Sequence, residues 1–189
     1  MNKHVGKVCG TFWIIVLFVL SFSCSQTRVL PEIKYVRSDW EHWTDKDKDC
    51  QNTRQEILIE RSLFKVKLNK KGCTVLQGKW MDYYHPEEHF LARNVDIDHL
   101  IPLKHAHDSG AFRWSKEEKK LFANDPENLV ITNRSYNRMK GAKTIAEWLP
   151  INKDRACRYI KDWIHIKKKY NLRLEEAEWK TIQLSGCID

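Results

Sequence analysis

The stretch "VDIDHLIP", residues 95–102, constrains this chain more than any other. Val95 and Ile97 alternate with Asp96 and Asp98, the period-two pattern of a half-buried strand with both carboxylates on one face. Pro102 has no N–H to offer a ladder, so pairing ends there. Asp98 and His99 therefore fall at a strand end, where side chains can converge on a ligand. A second apolar run, "NLVIT" at 128–132, predicts another strand. The following "NRSYNRMKG", 133–141, predicts a short helix with Asn133 as cap and Gly141 as stop. If the strands pair and the helix packs across them, Asp98, His99 and Asn137 face one point.

Those residue types suit a particular chemistry. Asp and Asn oxygens are hard ligands for Mg²⁺, with Mn²⁺ as the alternative, and such an ion keeps several waters. A histidine left unligated beside it is a natural base for water, because its ordinary pKa lies near working pH. Arg138 and Lys140 lie on the same helix and Lys143 just beyond, with no acidic residue between Asn128 and Lys143. A basic patch beside a hard-metal site points to a phosphate backbone.

The N-terminus predicts export. "MNKHVGK" is a basic leader, "TFWIIVLFVLSF" an apolar core, and Ser23, Cys24 and Ser25 are small residues before a cleavage point, giving a signal peptide over 1–25. Two routes fit: free secretion, or lipid anchoring at Cys24, for which Ser21 and Phe22 make a poor lipobox. The expected location is secreted or periplasmic, with membrane contact only through that anchor. Loss of Lys3 and Lys7 takes the formal charge from +8 to +6. A basic exported chain seeks an anionic partner, whether nucleic acid, lipid surface or glycan.

Cys50, Cys73, Cys157 and Cys187 remain in the mature chain. In an oxidising compartment they imply two disulfides with three connectivities, of which the sequence-near pairs 50–73 and 157–187 are expected. Each such loop contributes about 3 kcal/mol by restricting the unfolded state. Residues 26–49 read as a polar, Pro-containing linker and entry segment and 50–189 as one domain. "TRQE" at 53–56 predicts a helix start, "FKVKL" and "CTVLQGKW" a hairpin around Lys70-Lys71-Gly72, and "SKEE" at 115–118 a capped helix. "TIAE" at 144–147 is another capping box, and helices are expected over Asp154–Tyr170 and about 175–184. The fold class is α+β, disulfide-stapled.

"DIDHLIPL" followed by "NDPENLVITNRSYNRMKG" resembles the HNH, or ββα-metal, endonucleases. "GKWMDYY", "DHLIPLKHAHDSGA" and "IKKKYNL" resemble the branch of secreted nucleases related to the C-terminal domain of GmrSD restriction enzymes. The resemblance spans roughly Cys50 to Glu178. It implies a ββα-metal core in which His99 is the general base, Asp98 and Asn137 hold one Mg²⁺, and Asn128 braces the loop between the strands. It also implies cleavage of DNA to products with 5′-phosphates, and leaves open whether RNA is cut as well. Little sequence specificity is expected, because Arg138, Lys140 and Lys143 would grip the backbone. The Cys-x-x-Cys zinc pairs of many relatives are absent, and the role of His107 is open.

Competing readings remain at this stage. His105 is read as a nucleic-acid contact or as support behind the metal ligands; a zinc held by His99, His105 and His107 is disfavoured because residues two apart on a helix do not share a face. Asp96 either assists the metal or pairs with Arg93. Lys167-Lys168-Lys169 reads as a solvated helix end, or else as a continuation of the nucleic-acid track. The whole chain could instead be a nucleic-acid-binding module without hydrolysis, or a basic cell-surface binding protein. No obligate protein partner is evident.

Overall fold

The alternation at 95–99 and the run at 129–133 form the expected pair. In the computed structural model, which describes residues 33–188, β4 (Val95–His99) runs antiparallel to β5 (Leu129–Asn133), with Ile97 opposite Ile131 and His99 opposite Leu129. The signal peptide, Cys24 and the first residues of the expected linker lie outside the described residues. A helix, α4 (Arg134–Lys140), follows β5 directly; Asn133 Oδ1 accepts from Ser135 N at its start and Gly141, at φ +54°, ends it. These three elements are the ββα core.

The remaining elements are α1 (Thr53–Glu60), β1 (Lys67–Leu68), β2 (Val75–Met81), β3 (Glu88–Leu91), α2 (Leu103–Asp108), α3 (Lys116–Ala123), α5 (Lys153–Lys169) and α6 (Glu176–Ser185). β1, β2 and β3 form an antiparallel sheet in that order. β3 was not legible in sequence. The cap of α1 is Asn52 rather than Thr53, one residue earlier than the capping-box reading. "TIAE" closes a single turn, not a helix: Glu147 Oε2 accepts from Thr144 N at 2.8 Å, Trp148 N donates to Thr144 O, and the turn is not continued before Pro150.

Alternation decides what each face of the hairpin meets. Val95, Ile97, Leu129 and Ile131 pack with Ile57, Leu58 and Trp80. Val130 joins the larger cluster of Trp40, Tyr84, Phe122, Tyr159, Ile160 and Trp163. Asp82, fully buried, ties the two sheets: its carboxylate accepts from Tyr84 N, His85 N, Thr132 Oγ1 and Asn133 N, and pairs with His89 Nε2 at 3.0 Å. The disulfides are Cys50–Cys73 and Cys157–Cys187, as the spacing predicts. The first joins the start of α1 to the β1–β2 hairpin, and the second joins α5 to the end of α6.

Two expectations fail here. Residues 33–49 do not behave as a linker; Ile33–Asp189 form one compact unit and Trp40 is 1% exposed in its core. Lys167 is not solvated either, since its ammonium is buried 2.6 Å from Glu178 Oε2 and donates to Arg173 O. A long side chain beside a buried carboxylate gains more from pairing than from reaching solvent.

Candidate active site

Asp96 and Asp98 sit two apart on β4, facing α4, where Asn137 and Lys140 lie three apart and so share one helix face. The spacings match, and two cross-pairs form. Asn137 Nδ2 donates to Asp96 Oδ2 at 3.1 Å, and Lys140 Nζ meets Asp98 Oδ2 at 2.8 Å. Arg134 Nε lies 3.3 Å from Asp96 Oδ1, taking the place expected for Arg93, whose carbonyl accepts from Arg134.

Lys140 is therefore not a phosphate contact, contrary to the sequence reading. It is fully buried, and its ammonium also donates to the His99 carbonyl at 2.9 Å. The same Asp98 oxygen accepts from the Tyr84 hydroxyl at 2.7 Å. Burial first, and then the charge of Asp98, hold that hydroxyl well above its ordinary pKa, so Tyr84 acts only as a donor. One oxygen of Asp98 is thus fixed by two buried donors.

His99 is held from the other side. Its Nε2 lies 2.8 Å from Ala123 O at the end of α3. A carbonyl only accepts, so the proton sits on Nε2 and Nδ1 keeps its lone pair. Trp43 stacks on the imidazole at 5.8 Å between centroids and 27° between planes, and His42 meets it edge-on at 6.2 Å. Burial pushes His99 down to about 3; the Ala123 carbonyl works against this, and the charges of His42, Lys140 and Arg37 work with it.

This shift has a consequence for stability. The folded histidine stays neutral while the unfolded one protonates below 6.5, so its contribution is complete above pH 6.5 and is lost as pH falls toward about 3. The slope is about 1.4 kcal/mol per pH unit. Between pH 6.5 and 5 the wild type should lose about 2 kcal/mol more than His99→Gln, read from urea unfolding at each pH. Equal losses would contradict the buried neutral state.

Asp98, His99 and Asn137 line one cleft of about 370 Å³, together with Ile97, Pro102 and Lys104 and, from the N-terminal stretch, Tyr35, Arg37 and Trp43. Asp98 Oδ1 and Asn137 Oδ1 carry no hydrogen bond among the described residues. Two hard oxygen donors beside open volume fit Mg²⁺ with retained waters. Asn128 is fully buried; its Oδ1 accepts from Ile101 N at 2.8 Å and its backbone carbonyl from Leu100 N, which fixes the turn after β4.

Against the family of GmrSD restriction endonucleases, C-terminal domain, residues 47–180 match, which takes in every element of this site except the N-terminal wall. The chain belongs to that family. The GmrSD C-terminal family is one of HNH-type nuclease domains, so a nuclease-type function follows for this member. A protein of Arthroderma benhamiae (strain ATCC MYA-4681 / CBS 112371), described as an uncharacterized secreted protein, is 33% identical over 161 residues. The alignment covers 83% of this chain and 78% of that one. No solved structure matches.

Not every sequence candidate reaches the cleft of this family member. Arg138 and Lys143 are exposed, the second with its ammonium on Met139 O. His105 is not a nucleic-acid contact: it is buried, with Nε2 3.0 Å from Glu178 Oε1 and 3.1 Å from Ser109 Oγ. Like Lys167, it satisfies the buried Glu178 carboxylate, which leaves neither free for substrate. His107 Nε2 donates to Ile33 O at 2.7 Å and anchors the N-terminal stretch. The three histidines of the zinc reading therefore go to separate partners. Sequence reading missed Tyr84, Trp43 and Arg37. The run "DWEHW" held a signal, because two tryptophans in five residues do not suit a linker.

Proposed function

We propose that this protein is an exported, metal-dependent endonuclease that hydrolyses phosphodiesters of DNA, and of RNA as a further substrate, with little sequence specificity. The observation that carries the reading is His99: a buried imidazole with Nε2 tied to Ala123 O and no hydrogen bond to Nδ1 among the described residues, on the same cleft as Asp98 and Asn137. Export is supported by the two disulfides and by the secreted description of the Arthroderma relative.

In this mechanism His99 Nδ1 accepts a proton from a water whose oxygen attacks phosphorus. The bond from phosphorus to the 3′ oxygen breaks, and that oxygen takes up a proton from solvent, leaving a 5′-phosphate and a 3′-hydroxyl. Lys140 and Tyr84 hold Asp98 in one orientation, and the Asn137 amide is oriented by Asp96, so the two outward oxygens are fixed before substrate arrives. Asp98 and Asn137 would hold Mg²⁺, or Mn²⁺, and that ion supplies positive charge against the anionic transition state and the leaving oxygen. Exposed Arg138 and Lys143 contact phosphates, which positions the strand without reading sequence.

The test is conversion of supercoiled plasmid to nicked and linear forms by the oxidised protein. Cleavage with Mg²⁺ and none with chelator is the expected result. Binding without cleavage would leave only a nucleic-acid-binding module. Neither binding nor cleavage would favour a cell-surface role.

A further inference from the structure

The cleft has two walls, and only one comes from the ββα core. The other is the stretch 33–44, all of which precedes the family match at residue 47. It is fastened along its length. His107 holds Ile33 O, Trp40 is buried in the core, Asn124 Nδ2 donates to Glu41 O, and Asn124 Oδ1 accepts from Thr44 N. Asn124 follows Ala123, whose carbonyl holds His99, so one turn at the end of α3 fixes both the base and the wall facing it. Trp43 takes φ +61°, an unfavoured conformation for a bulky side chain, with its ring on His99.

We propose that Arg37, on this wall, binds a phosphate of the nucleic-acid strand lying in the cleft. The inference rests on the nuclease reading of the site and adds a residue outside its core. Substrate phosphates need a cation at the cleft, and the candidates fall away in turn. Lys140 is buried against Asp98, Arg134 is paired with Asp96, and Lys104 is 2.6 Å from Asp108 Oδ2. Arg138 and Lys143 are not among the residues lining the cleft. Arg37 lines it, is exposed, and makes no ion pair among the described residues. A guanidinium presents a planar fork of donors that matches a phosphate, and its fixed charge does not depend on pH.

The test is a salt titration of binding to a short fluorescent DNA duplex in Ca²⁺, run on the full mature chain with plasmid nicking in parallel. Arg37→Ala should flatten the dependence of log K on log salt by about 0.9, one phosphate contact. Affinity at physiological salt should fall roughly tenfold. Arg37→Lys should keep the slope, because it keeps the charge. An unchanged slope in Arg37→Ala, in a protein whose wild type binds and nicks, overturns the inference and leaves the nuclease reading intact. A wild type that neither binds nor nicks overturns both. A slope lost in Arg37→Lys as well as in Arg37→Ala would reflect disturbed folding of the wall and also count against a phosphate contact.

Discussion

Lys140→Met should lose about 3–5 kcal/mol of stability, the cost of removing one partner of a buried ion pair and stranding the other. Lys140 is fully buried and its ammonium has two partners, Asp98 Oδ2 at 2.8 Å and His99 O at 2.9 Å. Methionine fills the volume of the stem but leaves the Asp98 carboxylate to Tyr84 alone. Asp98 would then lose its fixed orientation in the cleft, which spoils the proposed metal ligand. Lys143→Ala, at an exposed residue whose ammonium reaches only Met139 O, should stay within about 0.5 kcal/mol of wild type. Urea unfolding of the two variants checks the pair. If Lys140→Met unfolds like Lys143→Ala, the buried bridge is wrong.

The contrast between these lysines shows what a single sequence could and could not say. Both lie in a stretch free of acids, and charge alone assigned both to the substrate. The acid that decides the matter, Asp98, is some forty residues away, and only the crossing of α4 over β4 brings it to Lys140. His105 and Lys167 repeat the lesson, because each belongs to Glu178 on another helix, far from His105 in sequence and on the helix that follows Lys167. What was legible was local: period-two alternation, the Asn133 cap, the Gly141 stop and cysteines whose loops close over short distances. The ββα core and both disulfides follow from such features. Tertiary pairing of charges does not, nor does the packing of a short aromatic stretch such as 39–43 onto the face of His99.

His99→Ala should lower cleavage by about 10²–10⁴-fold, the range for loss of a positioned general base. The residue has no phosphate to hold: Nε2 is spent on Ala123 O, one ring face is under Trp43, and Nδ1 is the polar atom without a partner among the described residues. Its loss removes proton transfer from water and leaves the exposed cations untouched, so affinity for duplex should change little. Lys140 and Tyr84 still orient Asp98 in this variant, which keeps the proposed metal ligands in place. A water attacking without a base must give up its proton to solvent, far less readily than to a neutral imidazole. The decisive measurement is single-turnover cleavage of a duplex bound by saturating protein in Ca²⁺ and started with excess Mg²⁺, comparing wild type with His99→Ala. Cleavage at least about a hundredfold slower, from a complex of equal affinity, is the predicted result. Equal rates in the two proteins would contradict His99 as the base and remove the central claim.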